Sequence, residues 1–123
     1  MMQVPLFSIA ATTYNHRGLV KHTLESVLGQ TIQDFEIVIV DDGSTDGTGE
    51  EVLSLKDERI KYIYQKPSGL PAAARNRCIN ECRGRYVALL DGDDRWRPEK
   101  LEAVLGVFKE YPGTDIVLSL IHI

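Results

Sequence analysis

Apolar residues follow two rhythms along the chain. Short runs in which nearly every position is apolar alternate with longer stretches in which apolar residues return every three or four positions. The runs predict strands and the stretches predict helices. Leu6-Phe7-Ser8-Ile9-Ala10-Ala11 is the first predicted strand, followed by a Thr12-Thr13-Tyr14-Asn15 loop. A helix is predicted from about Arg17 to Gln30, with Leu19/Val20, Leu24 and Val27/Leu28 at helical spacing and Asn15 as its N-cap. Glu36 to Val40 is almost wholly apolar and reads as a central strand. A polar loop from Thr45 to Gly49 leads into a helix through Leu55, with Thr48 and Glu51 spaced as a capping box.

Ile60-Lys61-Tyr62-Ile63-Tyr64 alternates and is rich in β-formers, which predicts a third strand. Pro71 sits where a helix begins, Ala72 to Cys82 continue it, and Arg83-Gly84 end it. Tyr86 to Leu90 reads as a buried fourth strand. Arg95-Trp96-Arg97-Pro98 opens a last helix with Leu101, Val104, Leu105 and Phe108 on one face, and Tyr111-Pro112-Gly113 stops it. Asp115-Ile116-Val117 starts a fifth strand. Strand alternating with helix predicts an α/β fold with a parallel sheet and right-handed crossovers. The length suits one domain.

Two of the apolar strands run directly into acid. Val40 is followed by Asp41-Asp42-Gly43-Ser44, and Leu90 by Asp91-Gly92-Asp93-Asp94. In a parallel sheet these ends share one edge, and open α/β sheets bind ligands outside the carboxyl ends of their strands. Three carboxylates in one turn repel one another and resist desolvation. A divalent cation, itself often bound with a phosphate, relieves both. The plainer reading, a solvated Asp-Gly turn, is the better one for such a motif in isolation. The convergence of two acid-ended strands is what favours a site.

Composition narrows the alternatives. A net charge of −4, with the acids clustered, argues against nucleic acid or an anionic membrane surface as the main partner. No apolar run approaches a membrane span, and no basic region followed by an apolar core marks a signal peptide. The only cysteines, Cys78 and Cys82, are poorly spaced for a disulfide and too few for a zinc site, so reduced thiols in a cytosolic protein are expected. His16 and His22 lack a partner at ligand spacing and read as surface residues, and Lys66 and Arg77 read as solvated charges. Trp96 fits either a wall of a binding pocket or a core anchor, and the sequence does not choose between them.

Several motifs are absent. There is no P-loop pattern, and Gly43, Gly47 and Gly49 do not make a dinucleotide-binding glycine fingerprint. Arg95 stands where an EF-hand needs an oxygen ligand. A receiver-type signalling domain would want an acidic pair after the first strand, where this chain has Thr12-Thr13-Tyr14-Asn15. A nucleotidyltransferase would want a basic, glycine-rich loop at the same place.

The chain resembles the nucleotide-binding half of a family 2 glycosyltransferase with the GT-A fold. Five blocks carry the resemblance. They are Phe7-Ser8-Ile9 with Thr12-Thr13-Tyr14-Asn15; Ser26 to Thr31; Phe35 to Thr48; Gly69 through Ala74-Arg75-Asn76; and Leu90 to Asp94. The resemblance covers about Leu6 to Val117. The resemblance implies a Rossmann-like, three-layer α/β/α fold with a mostly parallel sheet, cut after the D-x-D strand and its following helix. It also implies inverting transfer of a sugar from a nucleoside diphosphate sugar, usually a UDP-sugar, to a polysaccharide, lipid or other acceptor.

By that resemblance Thr12 and Tyr14 hold the base, and Asp42 rather than Asp41 accepts a hydrogen bond from the uracil N–H. Arg75 approaches the diphosphate, Asp91 contacts ribose or sugar hydroxyls, and Asp93 ligates Mn²⁺ or Mg²⁺. Asp94 helps indirectly or caps the following loop. An ordinary half-buried aromatic (Tyr14), a cap on the Ser44–Thr48 turn (Asp41 or Asp42) and a solvent-facing helix residue (Arg75) are the competing roles. The general base belongs to an acceptor half that is not in this sequence, so the chain is expected to bind donor and metal without transferring sugar. A non-catalytic nucleotide- and metal-binding fragment is the alternative. The expected location is cytoplasmic, either free or peripheral to the inner face of the plasma membrane.

The last six residues, Leu118-Ser119-Leu120-Ile121-His122-Ile123, translate codon by codon the mosaic-end adaptor of transposase-based sequencing. The expectation is therefore a family 2 region over 1–117 and an adaptor-encoded tail over 118–123, which carries no functional weight.

Overall fold

The structure, a computed structural model, describes residues 4–113. Eight elements alternate: β1 (Phe7–Thr13), α1 (Val20–Leu28), β2 (Phe35–Asp41), α2 (Thr48–Ser54), β3 (Ile60–Tyr64), α3 (Pro71–Asn80), β4 (Tyr86–Asp91) and α4 (Lys100–Glu110). The four strands form one parallel sheet in the order β3-β2-β1-β4. The predicted fifth strand and the 118–123 tail lie outside the described residues.

Period-two alternation sorts each strand onto two layers. Phe7, Ile9 and Ala11 of β1 with Phe35, Ile37 and Ile39 of β2 face one side, where Val20, Leu24 and Val27 of α1, Val52 of α2 and Leu101 of α4 cover them. Ala10, Val38 and Val40 face the other side against Ala74 and Cys78 of α3. The result is three layers, α/β/α, as expected. Trp96 is buried in the larger layer, so it is a core anchor, with Lys100 Nζ 4.8 Å from its ring centroid.

Three local expectations change. β4 is not buried on both faces: α3 packs on β1 and β2, and Leu89 on β4's α3-facing side is 54% exposed. α1 begins at Val20 after a turn at 17–19, and Asn15 does not cap it. The capping box on α2 is not formed either. Gly47 is the N-cap, Thr48 is the first helical residue, and the Glu51 carboxylate accepts instead from the Gly18 N–H at 2.8 Å.

The chain makes β1 to β2 to β3 on one side, then crosses to place β4 on β1's other side. The order therefore reverses between β1 and β4. Their carboxyl ends form the topological switch point where such sheets open a crevice.

Candidate functional site

The register fixes which residues meet at that crevice. Thr12 is paired with Val40 of β2 and with Asp91 of β4, and Thr13 with Asp41. Both acid-ended strands thus flank the end of β1. A cleft of about 540 Å³ opens there, within the range of small-molecule sites. Thr12, Tyr14, Asp42, Asp91 and Asp93 all line it, as do Gly69 just before α3 and Pro71 and Ala74 in its first turn.

The predicted residues differ in how they are held. Tyr14 is 55% exposed, so it is not a core aromatic and its ring is free to meet a ligand. Asp41 is fully buried. Its Oδ1 accepts from the Ser44 N–H at 2.8 Å and its Oδ2 from the Tyr62 hydroxyl at 2.6 Å. The turn-capping role considered for either acid is therefore Asp41's. Burial, then the Asp41 carboxylate beside it, push the Tyr62 hydroxyl well above its ordinary range.

Asp42 faces the cleft, yet the chain also reaches it. Oδ1 accepts from Gln65 Nε2 at 2.8 Å and the Ser68 N–H at 3.0 Å, and Oδ2 from the Ser68 hydroxyl at 3.0 Å. Burial opposes its charge, but the Gln65 and Ser68 bonds outweigh it and hold the carboxyl below its ordinary value of 3.8. Gln65 in turn accepts from Arg77 Nη1 at 3.0 Å, so Arg77 is not simply a solvated charge. Gly43, at φ +90°, packs against the Pro67 ring where any Cβ would collide. These ties dock the 65–70 loop onto the end of β2.

The D-x-D turn is built differently. Among the described residues the Asp91 carboxylate is paired with Arg75 alone, at 3.6 Å between Oδ1 and Nη2, with the two side chains 59% and 48% exposed. Such an exposed pair contributes little to stability. Arg75 does not line the cleft and borders it through this pair. Asp94 closes the turn, its N–H donating to the Asp91 carbonyl at 3.0 Å. The Asp93 carboxylate has no hydrogen bond or ion pair among the described residues. Among those residues no three His, Cys, Asp or Glu side chains converge as a self-sufficient metal cage. Two cleft-lining carboxylates without a cage still fit Mg²⁺ or Mn²⁺, because such ions take one or two carboxylates and complete their shell with water and substrate phosphates.

The elements that set this geometry extend beyond the predicted residues. Asn15, at φ +51°, donates its N–H to Ser44 Oγ at 2.8 Å and accepts from the Thr45 N–H at 2.9 Å through Oδ1, clamping the first loop to the second. Ser26 Oγ accepts from the Trp96 N–H at 3.1 Å. Gln30 donates through Nε2 to the Arg97 carbonyl at 2.6 Å and accepts from the Leu101 N–H at 3.0 Å. The Ser26–Thr31 block therefore fixes the segment that leaves the acids. His16, read from sequence as a surface residue, lines the cleft, with Nδ1 2.8 Å from Thr13 Oγ1. Its one sequence signal was its place two residues after Tyr14 at the ligand-binding end of β1.

A three-layer parallel sheet with acids from two strands gathered at its switch point is the architecture of the GT-A glycosyltransferases. The chain belongs to glycosyl transferase family 2, whose family model matches residues 8–123. It is 42% identical over 108 residues to TuaG of Bacillus subtilis (strain 168), a glycosyltransferase provisionally assigned to teichuronic acid biosynthesis. That match covers 86% of this chain and 43% of TuaG. It is 38% identical over 128 residues to an Escherichia coli chondroitin synthase, covering 99% of this chain and 17% of the synthase. Among solved structures, S. aureus TarS 1-349 in complex with UDP-GlcNAc superposes with a TM-score of 0.80 at 27% identity, covering 93% of this chain and 37% of that one. The chain thus spans less than half the length of each.

Proposed function

We propose that the chain is the donor- and metal-binding part of an inverting glycosyltransferase that moves a sugar from a UDP-sugar to a polysaccharide, lipid or other acceptor. One observation carries the reading: the ends of β1, β2 and β4 bring Thr12, Tyr14, Asp42, Asp91 and Asp93 into a single cleft. The relatives support the donor and acceptor classes, since TarS has been solved with UDP-GlcNAc and TuaG is named for a cell-wall polymer.

In this reading the exposed Tyr14 ring lies against the uracil, with Thr12 beside it. Asp42 Oδ2 accepts one bond from the chain and keeps a lone pair for the uracil N–H. Asp91 holds ribose or sugar hydroxyls, and Arg75, beside it, meets the diphosphate. Asp93 holds Mn²⁺ or Mg²⁺. When bound, the ion neutralises charge developing on the departing UDP. No described residue is assigned the general base that deprotonates the acceptor hydroxyl, so the proposal covers donor and metal binding. A cytoplasmic location, free or peripheral to the inner face of the plasma membrane, is part of the same proposal. Among the described residues no helix is long and apolar enough to cross a membrane.

Calorimetric titration of UDP with Mn²⁺, and again with a chelator, tests the proposal. Saturable binding that tightens with Mn²⁺ and exceeds that of GDP and ADP is expected. Failure of UDP to bind under either condition would overturn it.

A further inference from the structure

His16 has no part in the roles assigned above, yet it is fixed at several points. Its N–H donates to Thr48 Oγ1 at 3.0 Å, and its carbonyl accepts from the Leu19 and Val20 N–H groups, each at 2.9 Å. Its ring Nδ1 lies 2.8 Å from the hydroxyl of Thr13, a buried residue. This side-chain pair meets the middle residue of the D-x-D turn. A Cβ built on Gly92 would lie 2.5 Å from His16 Nδ1 and 2.7 Å from Thr13 Oγ1, so only the bare α-carbon of glycine can rest there. The backbone of Gly92 is held on two further sides. Its N–H donates to the Thr12 carbonyl at 2.9 Å, and its own carbonyl accepts from Thr23 Oγ1 at 3.1 Å.

Asp93 leaves the chain directly after this glycine, and nothing among the described residues holds its carboxylate. Its direction is therefore set by the backbone of Gly92. We propose that His16 is a positioning residue: with Thr13 it forms the seat for Gly92, and so aims the D-x-D acids at the metal and diphosphate they would hold. The inference rests on the donor-binding reading above for what the acids meet, and on geometry alone for the seat. His16 is not offered as a metal ligand, because its Nδ1 is engaged by the Thr13 hydroxyl and hard cations prefer oxygen ligands. It acts through Gly92.

Two measurements on the 123-residue chain test this. Without ligand, His16→Ala should shift the Gly92 and Asp93 amide resonances and speed exchange of the Gly92 amide about tenfold, the scale of one lost hydrogen bond. His16→Asn, whose amide reaches the Nδ1 position, should restore both in part. With Mn²⁺ present, His16→Ala should weaken UDP about tenfold and leave uridine, which lacks the diphosphate, unchanged. Thr13→Val, which removes the hydroxyl and keeps the shape, should act in the same direction if the alanine variant fails to fold. Unmoved Gly92 and Asp93 resonances would overturn the proposal, as would equal losses for UDP and uridine, the signature of general loosening. If the wild-type chain bound no UDP, the functional reading would fall while the resonances still decided the seat.

Discussion

The two acidic turns look alike in sequence and are opposites in structure. Each ends an apolar strand paired with β1, and each contains a glycine packed where a Cβ would collide. At the end of β2 the acids are occupied by the chain itself: Asp41 by Ser44 and Tyr62, and Asp42 by Gln65 and Ser68. At the end of β4 Asp91 has one long, exposed ion pair, and Asp93 has no partner among the described residues. A carboxylate satisfied from within shapes a cleft, and one left unsatisfied at its mouth is available to a ligand. On the proposed reading Asp41 holds the site, Asp91 and Asp93 serve the ligand, and Asp42 does both, tied by the chain while Oδ2 keeps a lone pair.

The contrast predicts opposite mutational behaviour. The largest effect on stability is expected at Asp41. Asp41→Ala strands the Tyr62 hydroxyl and the Ser44 N–H around a buried void, and should cost about 3 kcal/mol in urea unfolding. Tyr62→Phe removes one of those bonds while keeping the ring, and should cost about 1 kcal/mol by the same measurement.

Asp42 gives a smaller, pH-dependent effect. Its folded pKa is depressed, so its contribution is complete above the ordinary value of 3.8 and is lost as pH falls through the lower folded value. Unfolding midpoints taken downward from about pH 5 should therefore fall less steeply in Asp42→Asn than in the wild type. Asp93→Ala is expected to be smallest, within about 0.5 kcal/mol of wild type, because its carboxylate is exposed and untied.

Much of this was legible from residue pattern. The β3 limits coincide with the alternating Ile60–Tyr64 run, and Pro71 stands at the first turn of α3 as its fixed φ favours. The two acid-ended strands could be placed on one edge because parallel pairing leaves no other arrangement. What sequence missed was local polar chemistry answered at long range. Asn15 and Glu51 carry capping patterns, yet their partners are Ser44, Thr45 and Gly18, brought close by the sheet. β4 reads as buried because its run is apolar, but burial depends on what packs over Leu89, which no property of the run encodes. His16 reads as a surface residue because its close contact is with Gly92, seventy-six positions away in the chain.

The central claim is that the β4 acids are left open to a metal-bound ligand, while at the end of β2 Asp41 holds the fold and Asp42 is tied to the 65–70 loop with one lone pair to spare. It is tested most directly by titrating UDP into wild type and Asp93→Ala, each with Mn²⁺ and with a chelator, alongside their unfolding curves. The account predicts that Asp93→Ala unfolds as the wild type does and loses the Mn²⁺-dependent gain in UDP affinity. If Asp93→Ala bound UDP with Mn²⁺ as tightly as the wild type, the β4 acids would not be the ligand-serving pair, and the contrast between the two turns would have no functional meaning.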